Sequence, residues 1–144
     1  MHKFPLFMDM TGRPVLIFGG GTVALRRASV LVQYGAAVTV IAPELLPELE
    51  ALRLKLERRP YRSGEIEEAF LVLAATDDPN VNRDIVKEAR AKGIWANNAS
   101  DRSDCDFFFP AVVQRERLSI GITGDGEDHV RVREAAKKIR EAEL

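Results

Sequence analysis

Residues 15–24 read Val-Leu-Ile-Phe-Gly-Gly-Gly-Thr-Val-Ala, and this stretch decides the fold that we expect. Its four apolar residues predict a buried strand, and a helix is predicted to begin at Thr22, directly after the glycines. The spacing from Gly19 to Ala24 is G-x-G-x-x-A, which is typical of the first turn of a dinucleotide-binding fold. In such a turn Gly19 lets the chain turn tightly and Gly21 lets the backbone approach a pyrophosphate. The small Ala24 lets the helix pack closely on the strand.

The start of this helix is also a place where an anion can bind. The first amides of a helix have no partner inside the helix, and they lie at the positive end of its dipole. A diphosphate can accept hydrogen bonds from these amides, and its negative charge is stabilised by the dipole. We therefore predict that Gly19, Gly20 and Gly21 hold the phosphates of a dinucleotide.

Composition limits the class of protein. The chain has 144 residues, of which 46% are hydrophobic, so one domain over residues 1–144 with a substantial core is expected. The net charge of -1 gives no reason to expect nucleic-acid binding. No apolar run reaches the roughly 18 residues of a membrane span, and residues 1–10 do not resemble a signal peptide. The single cysteine, Cys105, excludes an internal disulfide and fits the cytoplasm, while two distant histidines argue against a structural zinc site.

Apolar runs rich in β-formers alternate with helical patterns along the chain. This alternation predicts an α/β fold of the Rossmann type, a doubly wound parallel sheet in three layers, α/β/α. The expected strand order is 3-2-1-4-5, with a sixth strand after the fifth. Strands are predicted at 15–18, 38–41, 54–58, 70–75, 94–97 and 118–122, and helices at 22–34, 45–53, 79–92 and 130–143.

Ligands of such sheets bind beyond the carboxyl ends of the strands, where the strand order reverses. Four segments should therefore converge there: residues 19–23, 42–44, 76–78 and 97–106. In many dinucleotide sites an acid about 20 residues after the glycines holds the adenosine ribose. Here that region contains Ala42, Pro43 and Glu44, whose backbone groups or acid could contact the adenosine. No arginine follows to receive a 2′-phosphate, which favours NAD, although Glu44 could equally cap the next helix.

Two further polar positions lie in these segments. The hydroxyl of Thr76 could bond a ribose or the nicotinamide, or it could bond only the local backbone. Asp101 is the acid that we expect to transfer a proton, since partial burial near a substrate would raise its pKa. The alternative, which the residues alone favour, is that Asp101 caps a turn.

The residues after Asp101 are aromatic and basic. Residues 107–110, Phe-Phe-Phe-Pro, could pack in the core or form a flat wall for a large planar ligand. Arg102, Arg115 and Arg117 could pair with substrate carboxylates. Cys105 is more typical of a small buried side chain than of a nucleophile.

Several short motifs occur in order from about residue 4 to residue 123. They are Phe4-Pro5-Leu6-Phe7, residues 15–24, Arg27-Ala28, Gly35-Ala36, residues 38–44, residues 73–78, Val81-Asn82, residues 105–107, residues 109–113 and Arg115. With this ordered set the chain resembles the N-terminal dehydrogenase module of siroheme synthases and the stand-alone precorrin-2 dehydrogenase/sirohydrochlorin ferrochelatases.

The resemblance implies an NAD-dependent oxidation of precorrin-2 to sirohydrochlorin, and in many relatives the insertion of ferrous iron. It implies cofactor contacts at Thr22, Val23, Pro43 and Glu44. An aspartate in an N-x-x-D pattern serves both steps in the family, and that role maps onto Asp101. A register without a gap, counted from Asn97, would place Ser100 there instead.

The resemblance also implies a tetrapyrrole substrate and a homodimer. Relatives continue into a helical dimerisation and substrate domain, which this sequence lacks, and residues 126–132 depart from the usual continuation. The alternative is therefore a non-catalytic module that binds or senses NAD and needs a partner for the missing domain. An NAD-binding domain for an unrelated small substrate is a third hypothesis.

Overall fold

The structure, a computed structural model, describes residues 2–144, which divide into two compact units. One unit consists of residues 9–107, and the other of residues 2–8 together with residues 108–144. The parallel sheet lies entirely in the first unit. The single domain expected over residues 1–144 stays a prediction.

Within residues 9–107 the structure forms a five-stranded, all-parallel sheet in the order β3-β2-β1-β4-β5, which confirms the predicted order of the first five strands. The elements follow the predicted alternation of strand and helix closely. They are β1 (Pro14–Phe18), α1 (Thr22–Gln33), β2 (Ala37–Ile41), β3 (Lys55–Glu57), β4 (Leu71–Ala74), α2 (Pro79–Ala91) and β5 (Trp95–Asn98). Short 3-10 helices cover Pro47–Ala51 and Arg102–Asp104, so the helix predicted at 45–53 is shorter and wound more tightly than expected.

Helices cover both faces of this sheet, as a doubly wound fold requires. Every residue of β4 is buried, which is the pattern of a parallel strand covered on two sides. One face carries a core in which α2 packs against the alternate residues of four strands. Its members include Phe18, Ile41, Val72, Ala74, Ile85, Val86, Ala89 and Ala96. The buried face of α1 covers the other side with Ala24, Ala28 and Leu31.

Local signals explain where these helices begin and end. Asp78 accepts a hydrogen bond from the Asn80 amide at 2.8 Å, and Pro79 occupies the first turn, so the predicted start of α2 is confirmed. Gly35, with φ of +82°, follows α1 and donates its N–H to the Val32 carbonyl. That conformation is one that glycine adopts without strain.

The second unit corrects the predicted sixth strand. Residues 118–122 do form a strand, β7 (Leu118–Ile122), but it pairs antiparallel with β6 (Ala111–Arg115) in a separate two-stranded sheet. Helix α3 (His129–Glu141) completes this unit. No helix among residues 2–144 is both long enough and apolar enough to cross a membrane.

Arg115 is held at the end of α3, and its pairing with a substrate carboxylate stays a prediction. Its guanidinium donates to the carbonyl oxygens of Ile139, Arg140 and Ala142, at 3.4, 2.7 and 2.8 Å. These carbonyls lie at the end of α3, where that of Ile139 also accepts from the Ala142 amide, so the arginine helps to cap that helix.

Candidate functional site

The three glycines after β1 have different surroundings. Gly19 has φ of +128° and donates its N–H to the Ile41 carbonyl at 3.0 Å. A Cβ on Gly19 would stand 2.1 Å from the Ala75 carbonyl oxygen, and one on Gly20 would stand 2.1 Å from that of Glu44. Gly20 also accepts a hydrogen bond from the Leu46 amide at 2.9 Å. Both glycines are therefore required by close contacts within the protein.

Gly21 differs from its two neighbours. A Cβ built on Gly21 would have no described atom within 4 Å, and the residue is exposed. Gly21 is the N-cap of α1, and no side chain caps the first amides there. This open end of a helix fits the phosphates of a dinucleotide, because amides and helix dipole both favour an anion. Thr22 is exposed and Val23 half-buried beside it, and their contacts with the cofactor stay a prediction.

The turn after β2 is only partly available to a ligand. The N–H of Ala42 donates to the Glu57 carbonyl, and its C=O accepts from the Arg59 amide, both at 3.1 Å. Pro43 has no N–H, so contacts with adenosine would be made through carbonyl oxygens or the exposed Glu44 side chain. The alternative role of Glu44 as a helix cap is wrong, because Leu46 is the N-cap of the following 3-10 helix.

An arginine that the sequence analysis did not consider lies next to this turn, but carboxylates hold it. Arg59 Nε and Nη2 lie 2.9 and 2.6 Å from Glu57 Oε2, and Nη1 lies 2.5 Å from Glu65 Oε2. The hydrogen bond from Arg59, together with one from Lys55, lowers the pKa of Glu57. The guanidinium is thus already paired beside the position where a 2′-phosphate would have to bind.

Thr76, at the end of β4, makes local hydrogen bonds. Its Oγ1 lies 2.7 Å from Asn82 Oδ1 and 3.3 Å from the Asp78 amide nitrogen. The shortest of its donor contacts is the one to Asn82, and while that bond is made Thr76 could bind a ribose or a carboxamide only as an acceptor. The signal that could have revealed Asn82 is a polar residue on the apolar face of α2, where it is fully buried.

Asp101 does not have the raised pKa that we expected. The residue is exposed, and its carboxylate caps the 3-10 helix Arg102–Asp104. Oδ1 accepts from the Ser103 hydroxyl at 2.6 Å and from the Ser103 amide at 3.0 Å, and these hydrogen bonds lower the pKa of Asp101. The expectation failed because it assumed burial, whereas the carboxylate keeps its water and gains two donors. Asp101 is therefore an ionised acceptor near neutral pH.

The loop that carries Asp101 is held by buried amides. Asn97 and Asn98 are 3% and 2% exposed, although they are polar. Asn98 Oδ1 accepts from the Ser100 amide and hydroxyl at 3.0 and 2.7 Å, and Asn98 Nδ2 donates to Asp104 at 3.1 Å. The sequence predicts this segment at the site, but no pattern in it indicates that its asparagines are structural supports.

Two further residues support the same loop. Asn97 accepts a hydrogen bond from Arg27 of α1 and donates to the Phe107 carbonyl at 2.9 Å. Burial raises the pKa of the Cys105 thiol, whose sulfur lies 3.2 Å from the Asn98 amide nitrogen. A protonated, hydrogen-bonded thiol of this kind agrees with a packing role for Cys105.

The remaining basic and aromatic candidates are divided between the two units. Phe107 belongs to the unit of residues 9–107, whereas Phe108, Phe109 and Pro110 belong to the other unit. Lys3 Nζ lies 4.3 Å from the centre of the Phe108 ring, within that second unit. The flat wall predicted for residues 107–110 stays a prediction. Within residues 2–144, no group of three or more His, Cys, Asp or Glu side chains is arranged to hold a metal ion.

Known proteins resemble this chain in sequence and in fold. A family model described as "Putative NAD(P)-binding" matches residues 6–111. The chain is 38% identical over 143 residues to a probable multifunctional siroheme biosynthesis protein HemA of Ruminiclostridium josui, and equally to siroheme synthase 1 of Cronobacter sakazakii. Each match covers 96% of this chain, but the chain spans only 28% and 30% of those relatives.

A solved structure agrees with these matches. The structure of SirC, a precorrin-2 dehydrogenase, superposes with a TM-score of 0.81 at 31% identity, and the match covers 96% of this chain and 70% of SirC. The resemblance that the ordered motifs indicated is thus confirmed at the level of the family. The chain belongs to the NAD(P)-binding family that comprises the N-terminal module of siroheme synthases and the SirC-like precorrin-2 dehydrogenases.

Proposed function

We propose that this chain catalyses the NAD-dependent dehydrogenation of precorrin-2 to sirohydrochlorin. The observation that carries the proposal is the open, uncapped start of α1 at Gly21. It lies at the carboxyl ends of the parallel strands, as does the loop that carries the ionised Asp101. The relatives named as siroheme synthase and precorrin-2 dehydrogenase supply the substrate class.

The residues divide the work as follows. The amides at Gly21, Thr22 and Val23 would bind the diphosphate, and the carbonyls of Ala42 and Pro43 with Glu44 would face the adenosine. Bound NAD supplies a two-electron acceptor for hydride. The oxidation also releases a proton, which the carboxylate of Asp101 can accept, because an aspartate is ionised near neutral pH.

The choice of NAD over its phosphorylated form rests on Arg59. A 2′-phosphate needs a cation or free donors beside the turn after β2. Arg59, whose amide bonds the Ala42 carbonyl in that turn, is paired with Glu57 and Glu65, so a 2′-phosphate that bound this arginine would have to displace a carboxylate. The adenosine ribose of NAD has two free hydroxyls and needs no cation at this position.

The test replaces Asp101 and uses a matched control. Asp101→Asn keeps an oxygen that can cap the turn but cannot take the proton, whereas Asp101→Ala removes both. Asp9→Ala is the control, because Asp9 accepts the same i+2 hydrogen bond, from the Thr11 amide at 3.0 Å. Asp9 precedes β1, so it lies at the N-terminal ends of the strands, whereas Asp101 follows the C-terminal end of β5. Precorrin-2 oxidation is followed by NADH absorbance, and NAD binding by calorimetry.

We expect Asp101→Asn and Asp101→Ala to lose about 100-fold or more in kcat, the loss typical of a missing general base, with unchanged NAD binding. Asp9→Ala should retain activity. Full turnover in Asp101→Asn would remove this residue from the mechanism, and Ser100→Ala would then test the register shifted by one residue.

A second candidate function is a module that binds NAD without turnover and relies on a partner. The cap that Asp101 forms favours this candidate, because capping the 3-10 helix is by itself a sufficient reason for an aspartate at this position. It predicts NAD binding without oxidation of precorrin-2 by the isolated chain.

Ferrochelatase activity, a homodimer and a cytoplasmic location complete the first proposal, that of a dehydrogenase. Adding ferrous iron to the same assay tests the ferrochelatase activity.

A further inference from the structure

Asn82 connects the two segments that the proposed reaction must hold together. Its side chain is fully buried on α2. The Oδ1 atom lies 3.0 Å from the Thr76 amide nitrogen and 2.7 Å from Thr76 Oγ1. The Nδ2 atom donates to the Thr76 carbonyl and to Ser100 Oγ, both at 3.1 Å. One amide thus bonds the end of β4 on one side and the residue before Asp101 on the other.

The hydrogen bonds of this amide leave little freedom. Two acceptor positions and two donor protons are all used, which is the full capacity of an asparagine side chain. Ser100 in turn donates to Asn98 Oδ1, so the link continues to the end of β5. A buried and fully satisfied network of this kind fixes the geometry of the groups attached to it.

We infer that Asn82 is a positioning residue: it sets the distance between the cofactor edge at Thr76 and the proton acceptor Asp101. This inference rests on the proposed function. The oxidation removes a hydride and a proton from the same substrate, so the nicotinamide and the carboxylate must be held in register. Displacement of either group by about 1 Å can cost on the order of 100-fold in rate.

The test compares two variants, each of which loses a hydrogen bond made by a side chain of α2. Asn82→Ala breaks the link. The control, Tyr61→Phe, removes the 2.6 Å bond to Glu88 of the same helix, a side chain whose hydrogen bonds come from Tyr61, Gly64 and Ile66. Ser100→Ala breaks the link at an exposed residue and serves if Asn82→Ala does not fold. Three quantities are measured: kcat at saturating NAD, the dissociation constant for NAD, and hydrogen exchange of the amides of residues 99–104.

For Asn82→Ala we expect kcat to fall about tenfold or more, with NAD affinity within about threefold of the wild type. Exchange at residues 99–104 should be about tenfold faster than in Tyr61→Phe at equal global stability. The inference is overturned if both kcat and this exchange match those of the control. If the wild type does not turn over precorrin-2, the proposed function fails, and the exchange comparison alone decides whether Asn82 holds the loop.

Discussion

Gly21→Ala separates a requirement of the ligand from a requirement of the fold. Gly21 has φ of -93°, which alanine adopts freely, and an added Cβ meets no described atom within 4 Å. Alanine is a poorer N-cap than glycine by up to about 1 kcal/mol, while the lower entropy of the unfolded chain returns about 0.4–1 kcal/mol. We therefore expect the free energy of unfolding to change by less than about 1 kcal/mol.

The same methyl group should weaken NAD binding strongly. It would stand where the diphosphate must approach the amides at the start of α1. A hydrogen bond to a charged group contributes about 1.5–3 kcal/mol, so loss of even one of them raises the dissociation constant about tenfold or more. Isothermal titration calorimetry with NAD measures this change, and urea unfolding measures the stability.

Two other glycines provide the controls. Gly20→Ala would place a Cβ 2.1 Å from the Glu44 carbonyl oxygen, so it should cost about 2–3 kcal/mol of stability through backbone strain. Gly121→Ala meets only Pro110 at an ordinary 3.6 Å, so it should leave NAD affinity unchanged and raise stability by at most about 1 kcal/mol. Wild-type affinity for NAD in a folded Gly21→Ala protein would refute the assignment of the phosphate site.

Three further predictions follow from single contacts. Burial alone would raise the pKa of Glu88, but hydrogen bonds from Tyr61 and the amides of Gly64 and Ile66 outweigh it and lower the pKa. Glu88→Gln should therefore cost about 1–3 kcal/mol at pH 7, and the difference from wild type should shrink as the pH falls below about 4.3, where the stabilising charge is lost. Urea titrations at several pH values measure this, and a difference independent of pH would contradict it. Glu116, with φ of +51° in the two-residue loop between β6 and β7, occupies a position typical of glycine, so Glu116→Gly should raise stability by about 0.5–1 kcal/mol in thermal unfolding. A lower melting temperature would contradict that assignment. Glu65→Gln removes the charge that pairs with Arg59 Nη1, so the ratio of the dissociation constants for NADP and NAD, measured by calorimetry, should fall about threefold or more. An unchanged ratio would show that Arg59 does not affect the choice of cofactor.

Much of the fold could be predicted because its signals are local. The charge-free run at residues 70–75, the glycine turn and the capped start of α2 each identify an element without reference to the rest of the chain. The partner of a strand is not a local property. Periodicity indicated that residues 118–122 form a strand, but nothing in it distinguishes an edge of the parallel sheet from a hairpin with β6.

The chemical state of Asp101 could not be predicted for a related reason. Its pKa depends on whether the carboxylate is dehydrated or receives hydrogen bonds, and these effects have opposite signs. The N-x-x-D spacing places the acid on the loop but does not show whether Ser103 or the interior of the protein faces it. Hydrogen bonds from Ser103 and exposure to water decide the sign here.

The glycine turn shows how one motif can combine two requirements. The motif predicts that Gly19 turns the chain and that Gly19, Gly20 and Gly21 together hold the phosphates. In the structure the first two are glycines because the backbone at Ala75 and Glu44 lies too close for a side chain, while the third has open space. The first two contacts connect the turn to the ends of β4 and β2. A substitution there should therefore lower stability and binding together, whereas a substitution at Gly21 should lower binding alone. This difference lets NAD titration and urea unfolding test the phosphate site without a structure of the complex.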